Sequence, residues 1–145
     1  SGQQTLCAHF DGFRGFAKAA KIAMVEKATP EVLKGLSDPL VIDVRDPNEV
    51  AEGKGGPPSA IPGSVNVPLN VDGKKQSDYP TSPEEFQAKL TAAGVTLPAK
   101  EAAIITHCGS GGRGGKACEI LRGLGYSNCH NGGGPAHIAA ARGLA

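Results

Sequence analysis

The feature that most constrains the fold is an apolar run followed at once by a glycine-rich stretch and a helical pattern. Residues 102–106 read AAIIT, five glycines fall within residues 109–115, and apolar residues then recur at positions 117, 120, 121 and 124. This order predicts a buried strand, a tight loop and an amphipathic helix that ends at Gly125. A strand joined so directly to a helix is typical of α/β domains with a parallel sheet.

The rest of the chain repeats this alternation. Further strands are predicted near 25–27 and at 40–44, 64–68 and 127–130, with helices at 30–36 and after the GGGP turn at 132–135. Ser82-Pro83-Glu84-Glu85 is a capping box, and it predicts a helix that buries Phe86, Leu90 and Ala93. Residues 53–63 carry Gly or Pro at most positions, which predicts a loop.

The first 28 residues differ from the rest and are predicted to form an N-terminal extension. Phe10, Phe13 and Phe16 are spaced three apart and precede good helix formers, which indicates a short amphipathic helix. A single domain is therefore expected at residues 29–145, since a chain of 145 residues has the length of one domain.

The charge balance and the cysteine spacing indicate which kinds of binding partner and which cellular compartment to expect. Lys and Arg number 15 against 14 Asp and Glu, for a net charge of +1, so there is no basic surplus for nucleic acid. No apolar run exceeds four residues, which argues against a membrane partner. The four cysteines form no CxxC pair, which favours the cytoplasm or another reducing intracellular compartment; a targeting segment that has been removed is compatible with this expectation.

Cys108 is placed where α/β domains carry their sites, because it directly follows a predicted strand of a parallel sheet. The glycines after it allow successive backbone N–H groups to turn inward as an anion-binding nest, and the next helix adds the positive end of its dipole. Both effects favour the thiolate over the thiol. Arg113 can add a planar fork of donors for an oxyanion. We therefore predict a nucleophilic thiolate beneath an anion-binding loop.

Other interpretations of the same glycines fit less well. Their spacing at 109, 111 and 114 matches the dinucleotide-binding pattern, but no Asp or Glu follows Glu119 to bind a ribose. A phosphate-binding P-loop would need Gly at 110 and Ser or Thr at 117, where Ser110 and Ala117 stand. A tight turn around a structural cysteine stays open, although such a turn rarely needs so many glycines.

A metal site is not expected, and neither is a cofactor. His107, Cys108, Cys129 and His130 offer ligand atoms, but neighbours on a strand point to opposite faces and no ligand-pair spacing exists. The same alternation makes His107 a poor general base for Cys108. Cys118 and Cys129 are predicted to be small buried hydrophobic side chains.

Four segments in the same order resemble the single-domain rhodaneses, sulfurtransferases with a catalytic cysteine. They are TPEVLKGL with PLVIDVRDPNEV in residues 29–50, AIPGSVNVPL at 60–69, Cys108-x-x-Gly111-x-Arg113, and GYSNCHNGGGPAHI at 125–138. Two departures stand out. Ala60 lies where the family commonly has His, and the loop at 53–59 is longer than usual.

The resemblance implies a rhodanese-like α/β fold with a central, mostly parallel sheet of about five strands and helices on both faces. It also implies roles for individual residues. Cys108 would be the nucleophile, and Arg113 would either bind the donor anion or bond Glu49 or backbone carbonyls. Asp43 and Arg45 would form an ion pair behind the loop, with Glu49 beside them. The persulfide-binding loop would consist of Gly109, Ser110, Gly111, Gly112 and Arg113.

By the same resemblance, a sulfane sulfur passes from thiosulfate or a related donor through a Cys108 persulfide to cyanide or a thiol. A thioredoxin-like protein is one candidate acceptor. Two alternatives stay open: a persulfide carrier or binding module without turnover, and an arsenate reductase or phosphatase of the same fold. The latter enzymes use a Cys-x5-Arg loop, whereas Cys108 and Arg113 form the shorter Cys-x4-Arg loop associated with sulfur transfer.

Overall fold

The computed structural model describes residues 25–70 and 82–144. The predicted helix around Phe10 to Phe16 lies outside these residues. The described elements, in chain order, are α1 (Pro30–Lys34), β1 (Leu40–Asp43), α2 (Pro47–Glu52), β2 (Val65–Asn66), α3 (Pro83–Ala92), β3 (Ile104–His107), α4 (Gly112–Gly123), β4 (Cys129–Asn131) and α5 (Pro135–Arg142).

The strands form a parallel sheet in the order β2-β1-β3-β4. The α/β class and the parallel sheet are therefore confirmed, but the described sheet has four strands rather than about five. The strand expected at 25–27 is reduced to a single parallel bridge between Lys27 and Asn131. Only one such bridge forms because the chain turns away directly afterwards, where Thr29 caps α1 and accepts a hydrogen bond from the Val32 amide.

Helices cover both faces of the sheet, as predicted. Alternate strand residues point to opposite faces, so Val41 and Ile105 lie in one core cluster and Ile42 and Ile104 in the other. The first cluster is covered by α1 and α5 through Leu33 and Ile138, and the second by α3 and α4. The residues of α3 and α4 in that second cluster are Phe86, Leu90, Ala117, Cys118, Ile120 and Leu121.

The capping box at Ser82 is confirmed as the start of α3. The Ser82 hydroxyl accepts from the Glu85 amide at 3.1 Å, and the Ser82 amide donates to the Glu85 carboxylate at 2.9 Å. By contrast, α2 was not predicted. Its signal is present in Asp46-Pro47-x-Glu49, where the Asp46 amide donates to Glu49 Oε1 at 2.8 Å.

The loop expected at 109–115 is also shorter than predicted, because α4 already begins at Gly112. Glycine is a weak helix former, so sequence propensity places this start too late. Tertiary contacts compensate: the Thr106 hydroxyl donates to the Gly114 carbonyl at 2.7 Å, and Asn131 Nδ2 donates to the Gly111 carbonyl at 3.0 Å. The loop that follows β3 is therefore limited to residues 108–111.

In the part of the chain that the structure describes, none of the helices has both the length and the apolar character needed to cross a membrane.

Candidate active site

The site lies at the carboxyl edge of the sheet, where the chain segments leaving β1, β3 and β4 meet. Cys108 follows β3 directly and its residue is only 2% exposed. Its amide donates to the Gly133 carbonyl, beyond β4, at 3.0 Å, and the Val44 amide donates to the His107 carbonyl at 2.8 Å. These bonds fix the backbone of Cys108 between two neighbouring segments.

The Cys108 sulfur accepts a backbone hydrogen bond from the loop that encloses it. The Gly111 N–H donates to Cys108 Sγ at 3.0 Å, and Gly111 is the N-cap of α4. Gly111 has a φ of 125°, which L side chains rarely adopt, so glycine is required for this amide to face the sulfur. The sulfur thus lies at the positive end of the helix dipole, where a negative charge is stabilised.

The other loop residues predicted for the site have different environments. Ser110 and Gly112 are exposed, and Arg113 lies in the first turn of α4. Gly109 is covered, since a Cβ added at Gly55 or Gly134 would meet its carbonyl oxygen at 2.6 and 2.2 Å. That these residues bind a persulfide stays a prediction.

Arg113 pairs with Glu49 of α2 in a bidentate arrangement. Its Nη1 and Nη2 donate to Glu49 Oε1 and Oε2 at 2.7 and 2.9 Å. The hydrogen bonds from Arg113 hold the pKa of Glu49 well below its ordinary value, at about 2, even though burial acts in the opposite direction. The same pairing raises the pKa of Arg113. Of the alternatives left open for Arg113, the structure shows the bond to Glu49.

Asp43 and Arg45 form the ion pair predicted for them, and it is fully buried. Arg45 Nε donates to Asp43 Oδ1 at 2.9 Å, and Arg45 Nη2 donates to Asp43 Oδ2 at 2.6 Å. The remaining donors of Arg45 reach the carbonyls of Lys54 and Ser59, each at 2.8 Å. The pair therefore attaches both ends of the long 53–59 loop to the end of β1.

His107 supports the backbone of Cys108 rather than its thiol. The ring is fully buried, and Nδ1 lies 3.0 Å from the Cys108 carbonyl, an acceptor that requires Nδ1 to carry the proton. Nε2 has no hydrogen-bond partner among the described residues and lies 4.0 Å from Asp43 Oδ2. Burial lowers the pKa of His107, and the Asp43 charge only partly opposes this effect. This places a neutral imidazole behind the site.

Asn131, at the end of β4, is a structural part of the site that the sequence reasoning missed. Its Nδ2 donates to the carbonyls of Gly111 and Val25 at 3.0 and 2.9 Å, and its Oδ1 accepts from the Gly133 amide at 3.0 Å. One buried amide therefore links the active-site loop, the segment after β4 and the start of the domain. The only signal in the sequence is its place between a short strand and GGGP, which does not specify these partners.

The other described cysteines are buried away from the loop, as predicted. Cys118 of α4 donates to the Cys129 carbonyl at 3.3 Å, and both residues are inaccessible. The hydrogen bond with Cys118 and burial raise the pKa of the Cys129 thiol. Cys7 lies outside the described residues. Within residues 25–70 and 82–144, no three His, Cys, Asp or Glu side chains gather closely enough to hold a metal ion.

Comparison with known proteins gives one family and several named relatives. The family model described as "Rhodanese-like domain" matches residues 28–134. A Schizosaccharomyces pombe protein named "Putative thiosulfate sulfurtransferase, mitochondrial" is 36% identical over 92 residues, which are 63% of this chain and 56% of that protein. A Saccharomyces cerevisiae protein named "Thiosulfate:glutathione sulfurtransferase" is 32% identical over 96 residues, 65% of this chain and 60% of that protein.

The chain thus spans less than two thirds of the length of either curated relative. Among solved structures, a human single-domain sulfurtransferase is 29% identical, with a TM-score of 0.42, and the match covers 68% of this chain and 76% of that one.

Proposed function

Because this chain belongs to the rhodanese-like domain family, we propose that it is a sulfurtransferase that works through a persulfide on Cys108. The donor is thiosulfate or a related sulfane compound, and the acceptor is cyanide or a thiol. The observation that carries the proposal is the Gly111 N–H at 3.0 Å from Cys108 Sγ, at the N-terminus of α4. A thiolate or a persulfide anion at this position is stabilised by that amide and by the helix dipole.

In the first half-reaction, the Cys108 thiolate attacks the terminal sulfur of thiosulfate. A new S–S bond forms, the bond between the terminal sulfur and the sulfonate sulfur breaks, and sulfite leaves with the electron pair. Cys108 then carries a persulfide, and the total charge of the reactants is conserved in the products. His107 does not assist as a base, because its Nδ1–H is bonded to a carbonyl and its ring is buried.

In the second half-reaction, the acceptor attacks the outer sulfur of the persulfide. Cyanide becomes thiocyanate, or a thiolate becomes a persulfide, and the Cys108 thiolate leaves with the electron pair. The names of the two yeast relatives include thiosulfate as donor, and one includes glutathione as acceptor, which supports the same classes here. A thioredoxin-like protein is a further acceptor that we propose.

We propose a reducing intracellular compartment for this reaction. A free thiol at Cys108 is needed for it, and the described cysteines at 108, 118 and 129 are all free.

The proposal is tested by intact-mass measurement after incubation with thiosulfate, with Cys108→Ser in parallel. We expect a gain of about one sulfur, ~32 Da, that cyanide removes as thiocyanate and that the variant lacks. Cys118→Ser is the matched control and should gain the sulfur normally, since Cys118 is buried away from the loop.

Three results separate the alternatives. A persulfide that thiols reduce but that gives negligible thiocyanate turnover would indicate a carrier rather than an enzyme. No sulfur gain from thiosulfate or any other sulfane donor would refute the proposal, and arsenate reduction and phosphatase activity would be tested next. A gain that persists in Cys108→Ser would refute the assigned nucleophile.

A further inference from the structure

We infer that Lys54, in the loop between α2 and β2, selects the sulfur donor by its negative charge. This inference rests on the proposed function, and it assigns a residue outside the Cys-x4-Arg loop to the recognition of the donor. Nothing in the residues next to Lys54 along the chain relates it to Cys108.

The Lys54 side chain lies directly over the active-site loop. A Cβ placed on Gly109, the residue after Cys108, would contact Lys54 Cγ at 3.5 Å and Cδ at 3.8 Å. The residue after Lys54 approaches even more closely, since a Cβ on Gly55 would come within 2.6 Å of the Gly109 carbonyl oxygen. Glycine at 55 therefore allows the Lys54 segment to pack against the residue next to the nucleophile.

The backbone of Lys54 is held more firmly than that of an ordinary exposed loop residue. Its carbonyl accepts from Nη1 of the fully buried Arg45 at 2.8 Å, and its amide donates to the Glu49 carbonyl at 3.1 Å. Arg45 is itself fixed by Asp43. The stem of Lys54 is thus positioned from the end of β1, while 60% of its side chain stays exposed to incoming molecules.

The positive charge of Lys54 is paired less tightly with Glu49 than the positive charge of Arg113. Both nitrogens at the end of Arg113 bond Glu49 at 2.7 and 2.9 Å, whereas Lys54 Nζ lies 3.3 Å from Glu49 Oε2. Asp46, the other charged side chain that acts on Arg113, has a partner of its own, since it accepts from Asn70 Nδ2. Glu49 keeps its bidentate partner if Lys54 turns away, so the ammonium group can move to an anionic donor without leaving a carboxylate unpaired.

This arrangement favours donors with more negative charge. The Coulomb attraction between Lys54 and a donor is proportional to the charge of the donor, so a dianion gains about twice the free energy that a monoanion gains at the same position. Thiosulfate is a dianion and benzenethiosulfonate is a monoanion, and both present a terminal sulfane sulfur. Comparing them separates recognition of charge from a general effect on the loop.

The test is the second-order rate of persulfide formation on Cys108, followed by intact mass, for the two donors and four proteins. For Lys54→Gln we expect a loss of about tenfold with thiosulfate and about threefold with benzenethiosulfonate, the size of one partly exposed charge-assisted contact. Lys54→Arg should keep most of the wild-type rate with both donors, because it restores the positive charge.

Two controls make the result specific. Lys34→Gln removes the same charge from the last turn of α1, which leads into the amino end of β1 at the opposite edge of the sheet, and should leave both rates unchanged. Removal of the sulfur from preloaded Lys54→Gln by 2-mercaptoethanol, which attacks as a thiolate monoanion, should slow by no more than the roughly threefold expected for the monoanionic donor. The thiosulfate defect should shrink as salt rises from about 0.05 M to about 0.5 M.

Equal losses with the two donors, or no loss with either, would overturn the role of Lys54 while leaving the persulfide mechanism intact. If the wild-type protein gains no sulfur from any donor, the proposed function fails and this inference fails with it.

Discussion

At the scale of single residues, Glu49 connects the elements around Cys108. Its carboxylate accepts from Arg113 of α4 through both oxygens and lies 3.3 Å from Lys54 of the following loop. It also accepts from the Asp46 amide and so closes the first turn of α2. A carboxylate with these partners is stabilised in its charged form, which is why the pKa of Glu49 falls to about 2.

The low pKa of Glu49 predicts a pH-dependent contribution to stability. The pKa is lower in the folded protein than its ordinary value of 4.5, so the stabilisation is complete above about pH 4.5 and is lost as the pH falls towards 2. We expect Glu49→Gln to lower the free energy of unfolding by about 2 kcal/mol at neutral pH. Less than half of this difference should remain near pH ~3.

Urea unfolding of the wild type and Glu49→Gln at several pH values measures this difference. Asp38→Asn is a suitable control, because that exposed carboxylate forms no ion pair or side-chain hydrogen bond with the residues that the structure describes. A difference between wild type and Glu49→Gln that stays constant from neutral pH to pH ~3 would contradict the assigned pKa.

At the scale of elements, the first turn of α4 shows how glycine permits close packing. A Cβ on Gly114 would meet the His107 Cα at 2.8 Å and Asn131 Oδ1 at 2.9 Å, so the helix lies directly against the ends of β3 and β4. Gly123, at the other end of the same helix, has nothing within 4 Å of a Cβ. The two glycines therefore serve different purposes within one element.

This contrast predicts opposite effects of the same substitution. Gly114→Ala should destabilise the protein by about 2 kcal/mol or more, because backbone atoms cannot move away from the added methyl group. Gly123→Ala should stabilise it by about 0.5 kcal/mol, since alanine is the better helix former and the site is open. Thermal or urea unfolding of the two variants decides the matter, and similar effects of both would show that α4 does not pack as described.

The sequence located helices and strands correctly where the signal depends on residues adjacent in the chain. The Ser82 capping box located the start of α3, and the short apolar runs in residues 40–44 and 102–106 located β1 and β3. The start of α4 was placed too late because Gly112, Gly114 and Gly115 have low helix propensity. The compensating hydrogen bonds come from the side chains of Thr106 on β3 and Asn131 on β4. These contacts depend on the assembled fold and are not visible in the local sequence pattern.

At the scale of the whole molecule, the Asp43–Arg45 pair connects the sheet to the long loop that crosses the site. Both side chains are at most 2% exposed, and Arg45 also bonds the carbonyls of Lys54 and Ser59. Position 60 follows the end of this loop, so the structure holds the loop without the histidine that is common there in the family.

Removing one partner of this pair should therefore cost more stability than removing both. We expect Arg45→Met to cost about 3–5 kcal/mol of unfolding free energy, because it leaves the Asp43 carboxylate buried and unpaired. The double variant Asp43→Leu with Arg45→Met should recover part of that loss, since no charge is then left without a partner. Equilibrium urea unfolding of both proteins measures the difference.

The recovery is expected to be incomplete, because the Lys54 and Ser59 carbonyls lose their donor in either variant. A double variant that is less stable than Arg45→Met would contradict this account. So would an Arg45→Met protein with near wild-type stability.

The sequence by itself determined the class of fold, the order of most elements and the position of Cys108 at the end of a strand, because these depend on periodicity and on residues adjacent in the chain. Only the tertiary structure decided which groups surround that cysteine. Glu49 meets Arg113 across 64 positions, and Asn131 meets Gly111 across 20. Lys54 lies over Gly109, and Arg45 holds Lys54 there. Such contacts form only when parallel strands align their carboxyl ends, a condition that no local pattern along the chain encodes.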